Sequence, residues 1–306
     1  MAKFRRNHSK ETRGSTSTYV RAAIFAMVLV GILVLVYDSM KKVDFASGET
    51  TEEYQIPRDS NPEERLFLPS INEGEEIIHH TAYSLAYDEP FEQARWVSYE
   101  LTKENLDKPN VERTDYFNTD PKVTTQSARH SDYTRSGYTR GHLAPAGDMA
   151  QSKVTMEESF YMSNMSPQLR AFNNGIWREL EEQVRDWVLE DDRLFVTTGG
   201  VLNGEIVKYI GKNRVAVPAY FYKVLLDVDY PEQKGIAFVI PHERSDEPLS
   251  DFVMTIVEAE QITGIDFFAE LLAPELEKEL ESQIDINQWP FDDQRYQRRV
   301  QKWNKQ

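Results

Sequence analysis

The sequence predicts an α+β fold with a largely antiparallel central sheet flanked by helices. Three observations carry this expectation. Four short segments alternate apolar and polar side chains with the period of two that strands show. One longer segment repeats its apolar residues at helical spacing. Strand and helix signals also follow one another irregularly, which disfavours a doubly wound parallel sheet.

In chain order, the strand signals are residues 95–102 (RWVSYELT), 194–198, 220–227 (YFYKVLLD) and 236–240. Residues 173–189 set Ile176, Leu180, Val184 and Trp187 along one helical face. Residues 250–261 and 274–283 also read as helices, the second opening on Pro274, a residue favoured in a first helical turn. Internal repeats are absent.

Five regions are expected. Residues 1–21 form a basic leader. Residues 22–40 contain an apolar run (AAIFAMVLVGILVLVY) that as a helix would reach about 24 Å, slightly less than a ~30 Å hydrocarbon core. Arg21, Lys41 and Lys42 flank it and can snorkel. The run reads as a retained signal-anchor, a single transmembrane helix with its N-terminus cytoplasmic and the rest of the chain outside the cytoplasm, in a bacterial periplasm. The alternatives are a cleaved signal peptide, with Ala46-Ser47-Gly48 as the nearest cleavage site, and an organelle-targeting leader or inner-membrane protein. Residues 41–75 are acidic and turn-rich and read as a flexible tether. Residues 76–283 are the globular domain, and residues 284–306 a basic C-terminal tail.

The net charge of −16 argues against long-range attraction of a polyanion. The total hides an asymmetry: six Lys/Arg lie in residues 1–21 and five in residues 294–306, leaving 24 basic and 50 acidic side chains between them. Any phosphate contact must therefore come from a local cluster of cations. The chain has no cysteine, which excludes disulfides, thiolate metal sites and cysteine nucleophiles.

Two segments carry the chemistry. In residues 138–149 (YTRGHLAPAGDM), Gly141 permits close backbone approach, Arg140 can fork onto a phosphate, and an uncharged His142 can deprotonate water. In residues 160–181 (FYMSNMSPQLRAFNNGIWRELE), Asn173 and Glu181 lie eight residues apart, about two turns along one helical face. There a carboxamide and a carboxylate can approach one hard cation such as Mg²⁺. Each segment also has a bland reading, a structural His in a loop and an Asn helix cap.

Together, TRGH, SNMSPQ and NNGIWRELE, in this order and spacing, resemble the DNA/RNA non-specific endonuclease family. This is the ββα-metal group that includes endonuclease G and the sugar-nonspecific nucleases. WVSYELT, ERTDYFNTDP, VTTGGVL, VPAYFYKVLLD, IAFVIPH and ITGIDFF extend the resemblance across residues 77–283. It implies a ββα-metal nuclease fold and a metal-dependent endonuclease that cuts DNA and RNA with little sequence preference and leaves 5′-phosphate ends. It further implies His142 as general base, Asn173 as the direct protein ligand to Mg²⁺ (Mn²⁺ as a substitute), and Glu181 as a ligand through water. Arg113 and Arg140 are implied as the substrate-phosphate contacts. One departure stands out: many members carry Asp where this chain has Thr139, so the negative charge at that position is missing. Two competing readings are a phosphodiesterase acting on a non-nucleic substrate and a membrane-tethered nucleic-acid-binding module without turnover. The oligomeric state is open, a homodimer included.

His79-His80 reads as structural, because adjacent residues of a strand face opposite ways. The C-terminal RYQRRVQKWNK has three readings: a contact for a nucleic-acid strand, a contact for an anionic membrane, or a disordered solubilising tail.

Overall fold

A computed structural model describes residues 66–229 and 231–305. The leader, the apolar stretch 22–40 and the tether up to residue 65 lie outside the described residues.

Seven strands form the main sheet: β1 (Glu76–His79), β2 (Ser84–Asp88), β3 (Gln93–Thr102), β6 (Arg193–Gly200), β9 (Tyr220–Asp227), β10 (Lys234–Pro241) and β11 (Val253–Met254), adjacent in that order. Every pairing is antiparallel. The α+β expectation and its antiparallel sheet are therefore observed. Two small two-stranded antiparallel sheets stand apart, β4 (Thr139–His142) with β5 (Met165–Gln168), and β7 (Ile206–Ile210) with β8 (Val215–Pro218).

Both faces of the sheet are covered, which explains why β9 reads as nearly continuous apolar sequence. Phe221 and Leu225 point to one face and join a core with Ile176, Trp177, Leu180, Val184 and Trp187. Tyr222, Val224 and Leu226 point to the other and meet Ile256, Ala259, Phe267 and Leu280. The period of two along one strand thus feeds two separate cores.

The helices are α1 (Lys103–Leu106), α2 (Lys153–Ser159), α3 (Arg170–Phe172), α4 (Arg178–Asp191), α5 (Ile256–Thr263), α6 (Pro274–Ser282) and α7 (Asp293–Gln301). The expected helical face is present: Ile176, Leu180, Val184 and Trp187 are all at most 1% exposed. Each such side chain contributes roughly 1.5–3 kcal/mol through burial, so this face fastens α4 to the sheet.

The helix expected over 250–261 begins later. Residues Leu249–Phe252 form a 3₁₀ turn and Val253–Met254 pair with β10. The helix starts after Thr255, whose side chain caps Glu258 N at 3.2 Å while Glu258 returns a bond to Thr255 N at 2.9 Å.

Two other expectations are corrected. Residues 66–75 are packed rather than a free tether: Phe67 stacks on Phe195 at 4.9 Å, and Glu75 pairs with Arg95. The C-terminal residues are folded, because Arg295 and Arg299 find acidic partners on α4 that composition alone does not reveal. No helix among the described residues is long and apolar enough to cross a membrane. The 14-residue α4 spans only about 21 Å and carries charge on its outer face.

Candidate active site

One cleft of about 290 Å³ gathers Arg113, Arg140, His142, Asn173 and Glu181, all five residues singled out from the sequence. It also contains Asn174, Arg178, Glu182 and Arg185.

The β4–β5 strand pair presents Arg140 and His142, two residues apart, on one side. Gly141 lies between them because nothing larger fits: a Cβ there would sit 2.0 Å from the buried Gln168 side chain. His142 is 9% exposed, and the edge of Phe160 packs against its ring at 4.8 Å. Its Nε2 is buried without a hydrogen-bond partner among the described residues. Burial first, then the Arg113 charge, pull its pKa down to about 3. The imidazole is therefore neutral at physiological pH.

Arg140 donates to His130 Nε2 at 3.0 Å and lies 5.2 Å over Phe117. Burial, then Arg140 itself, lower the His130 pKa, so that ring accepts rather than repels. Arg140 Nε is buried and unpartnered, a second orphaned atom in the same cleft. Arg113 comes from the loop before β4, stacks 4.8 Å over Phe160 and donates to Asp115 at 2.8 Å.

Asn173 opens a π-type turn, Asn173–Trp177, between α3 and α4, with a non-helical Gly175 inside it. The regular helix expected here is therefore broken, yet Asn173 and Glu181 still share the cleft. Asn174 lines it as well, because the wider turn alters the ~100° step between neighbours. Asn173 Nδ2 donates to Thr139 Oγ1 at 2.9 Å, and that hydroxyl donates to Gln168 O at 2.9 Å. Thr139 thus holds the amide nitrogen of Asn173 and leaves Oδ1 as the atom it can offer a cation.

Glu181 sits deeper, where burial is the main cause of a pKa raised to about 7, opposed by Lys223 and Arg185. Lys223 on β9 is 1% exposed and lies 5.1 Å over Trp177; burial lowers its pKa. Arg185 donates to Asp148 at 2.8 Å, and Asp148 also accepts from Tyr99 at 2.8 Å. Sequence reasoning missed Arg178, Arg185 and Lys223. For Arg185 a signal existed, its i+4 spacing from Glu181 on one helix face.

The cleft answers the charge objection locally, with four arginines against two glutamates in an acidic body. His79 and His80 stay outside it. His79 meets Ser84 at 2.8 Å, and His80 is buried between Asp120 at 2.8 Å and Glu158 at 3.7 Å.

A strand pair carrying a neutral His and an Arg, followed by a helical segment whose opening turn carries Asn and whose regular helix carries Glu, is the arrangement the sequence resemblance implied. The family model described as DNA/RNA non-specific endonuclease matches residues 68–273. The chain belongs to this family. Mitochondrial nuclease EXOG of Danio rerio is 33% identical over 227 residues, 69% of this chain and 66% of that protein. Mitochondrial endonuclease G of Bos taurus is 34% identical over 219 residues, 67% of this chain and 72% of its own length. A chain in the crystal structure of the EndoG/EndoGI complex, whose subject is EndoG inhibition, superposes with a TM-score of 0.63 at 29% identity, covering 71% of this chain and 95% of that one. The chain spans just under two thirds of the first EXOG relative.

These comparisons correct the expected localisation. These relatives are named as mitochondrial nucleases, which overturns the reading of a domain displayed in a bacterial periplasm; the stretch 22–40 lies outside the described residues.

Family members are metal-dependent, and the residues fit a hard cation. Asn173 Oδ1 and the Glu181 carboxylate are oxygen donors sharing one cleft with no sulfur nearby. No group of three His, Cys, Asp or Glu able to hold a metal occurs among the described residues.

Proposed function

We propose that this protein is an endonuclease that hydrolyses phosphodiester bonds of DNA and RNA with little sequence preference, leaving 5′-phosphate ends. The observation that carries the reading is His142, a neutral imidazole lining a cleft that also gathers four arginines.

His142 takes the proton from a water poised against phosphorus, through the ring nitrogen that is not buried, which makes that water nucleophilic. Arg113 and Arg140 hold the non-bridging oxygens, and their charges offset the charge that grows as the bond forms. Asn173 Oδ1 and the Glu181 carboxylate would hold the cation, Asn173 as direct ligand and Glu181 through water, with Mg²⁺ as the ion and Mn²⁺ as a substitute. The ion, when bound, supplies Lewis-acid stabilisation of the leaving 3′ oxygen. Thr139 holds Asn173 in its binding orientation.

The roles assigned to these groups are toward phosphate and metal, and contacts to phosphate alone position without specifying sequence. Because the His142 pKa lies near 3, protonation of this residue in the free protein does not limit activity between pH 5 and 8.

The test is incubation of the full chain with supercoiled plasmid, linear duplex and RNA across Mg²⁺, Mn²⁺, Ca²⁺ and EDTA, followed by end-labelling of the products. Metal-dependent nicking, internal fragments and 5′-phosphate ends are expected. Intact nucleic acid under every metal condition would overturn the proposal.

A further inference from the structure

The C-terminal residues lie beyond the matched family segment 68–273, yet they are built against the helix that carries the metal-site residues. Arg299 is fully buried, pairs with Glu179 of α4, and donates to the carbonyl oxygens of Ser245 and Glu247. Arg295 bonds Asp186 of α4 at 2.5 Å. Asn304 donates to Ser245 O and Asp246 Oδ1, both at 2.7 Å, and its Oδ1 occupies the space a Cβ at Gly175 would take, at 2.7 Å. A side chain from the last residues therefore fills the kink between Asn173 and Glu181.

The same segment reaches the cleft. Trp303 is only 6% exposed, so it is not free to stack on a base. Its ring lies under the guanidinium of Arg178, 4.2 Å from ring centroid to Cζ. Arg178 also donates through Nε to Glu182 at 2.8 Å, is 49% exposed, and lines the cleft beside Arg113, Arg140 and Arg185. A Trp face beneath and a carboxylate beside the group fix a long, entropically costly side chain in one place. A fixed, planar, half-exposed guanidinium matches a phosphate diester.

We infer that Arg178 is a further phosphate-binding residue of the cleft, and that Trp303 positions it. The ligand is the sugar–phosphate backbone next to the cleavage point, and the C-terminal residues form part of the substrate-binding wall. The inference rests on the nuclease reading for its substrate class.

The experiment uses the full chain carrying Arg178→Ala, Arg178→Lys, Trp303→Phe, Trp303→Ala, and the Arg178→Ala/Trp303→Ala pair. Two quantities are read for a short labelled DNA duplex: KM and kcat with metal, and Kd in EDTA, each across salt concentration. Arg178→Ala should raise KM and Kd about tenfold, as expected for losing a charge-assisted bond at a half-exposed site. The kcat should stay within about twofold, and the slope of log Kd against log salt should fall by about one. Arg178→Lys should keep the salt slope. Trp303→Phe should be nearly silent, and Trp303→Ala should reproduce part of the Arg178→Ala effect. The double variant should be no worse than Arg178→Ala, since both act through one group.

Unchanged Kd and salt slope in Arg178→Ala would overturn the inference. So would a loss confined to kcat or melting temperature, or additive losses in the double variant. Wild-type protein that binds the duplex in EDTA but never cuts it would overturn the nuclease reading instead, with the Kd series still deciding the role of Arg178.

Discussion

Thr139→Val removes one hydroxyl and keeps the side-chain shape. The wild-type hydroxyl accepts from Asn173 Nδ2 and donates to Gln168 O, both at 2.9 Å. With valine there, the Asn173 amide has no fixed acceptor and can rotate to present its NH₂ group to a cation. The lost orientation is worth about one ordinary hydrogen bond, 0.5–1.5 kcal/mol. Outer residues that orient metal ligands typically tune affinity by about 10–100-fold, so the lower end of that range is expected here. The assay is initial nuclease rate against Mg²⁺ concentration. Half-saturation should rise roughly 3–10-fold while the rate at saturating metal changes little, because the ion, once bound, restores the orientation. Thr139→Asp should move half-saturation the other way, by adding the negative charge this chain lacks. A metal midpoint within twofold of wild type in a folded Thr139→Val protein would refute the claim that Thr139 orients a metal ligand.

Other outcomes follow from the same geometry. Asn173→Ala should lower activity and raise the Mg²⁺ requirement far more than Asn174→Ala, although both line the cleft; equal effects would mean that Asn173 is not the ligand. Glu181 must lose its proton to assist a cation, and its pKa is raised to about 7. Half-saturating metal should therefore climb, by up to about tenfold per unit, as pH falls below 7, and Glu181→Gln should flatten that climb; a pH-independent midpoint in the wild type would contradict it. Leu180→Ala, at a fully buried position behind the cleft, should cost about 2–5 kcal/mol in chemical denaturation, and a loss below ~1 kcal/mol would show that α4 is not fastened by this face.

What the sequence revealed was set by how local each signal is. The strand residues 220–227 could be read because their aromatic and aliphatic run is written in adjacent positions, though it is nearly continuous rather than alternating, and the helical face of α4 because four apolar residues recur at one spacing. The TRGH and NNGIWRELE segments were legible because each is contiguous and carries two or more chemical groups. The C-terminal helix was not legible. RYQRRVQKWNK reads as a solvated basic tail unless Glu179 and Asp186 are known to face it, and that pairing spans more than a hundred residues. The regular helix through Asn173 also misled, because the widened turn at Gly175 sits against Asn304, a neighbour distant in sequence that no local pattern reveals. Lys223 stayed hidden for a related reason: a lysine inside an apolar strand looks like an interruption until Trp177 and Glu181 are seen opposite.

The most direct test of the central claim is the single-turnover cleavage rate of His142→Ala at saturating Mg²⁺ and DNA. Its circular dichroism and thermal melting should be compared with wild type in parallel. Loss of a general base costs about 10²–10⁴-fold in rate, and the folded variant should lose at least that while its Kd for DNA in EDTA stays unchanged. A folded His142→Ala protein that cleaves within tenfold of the wild-type rate would contradict the account.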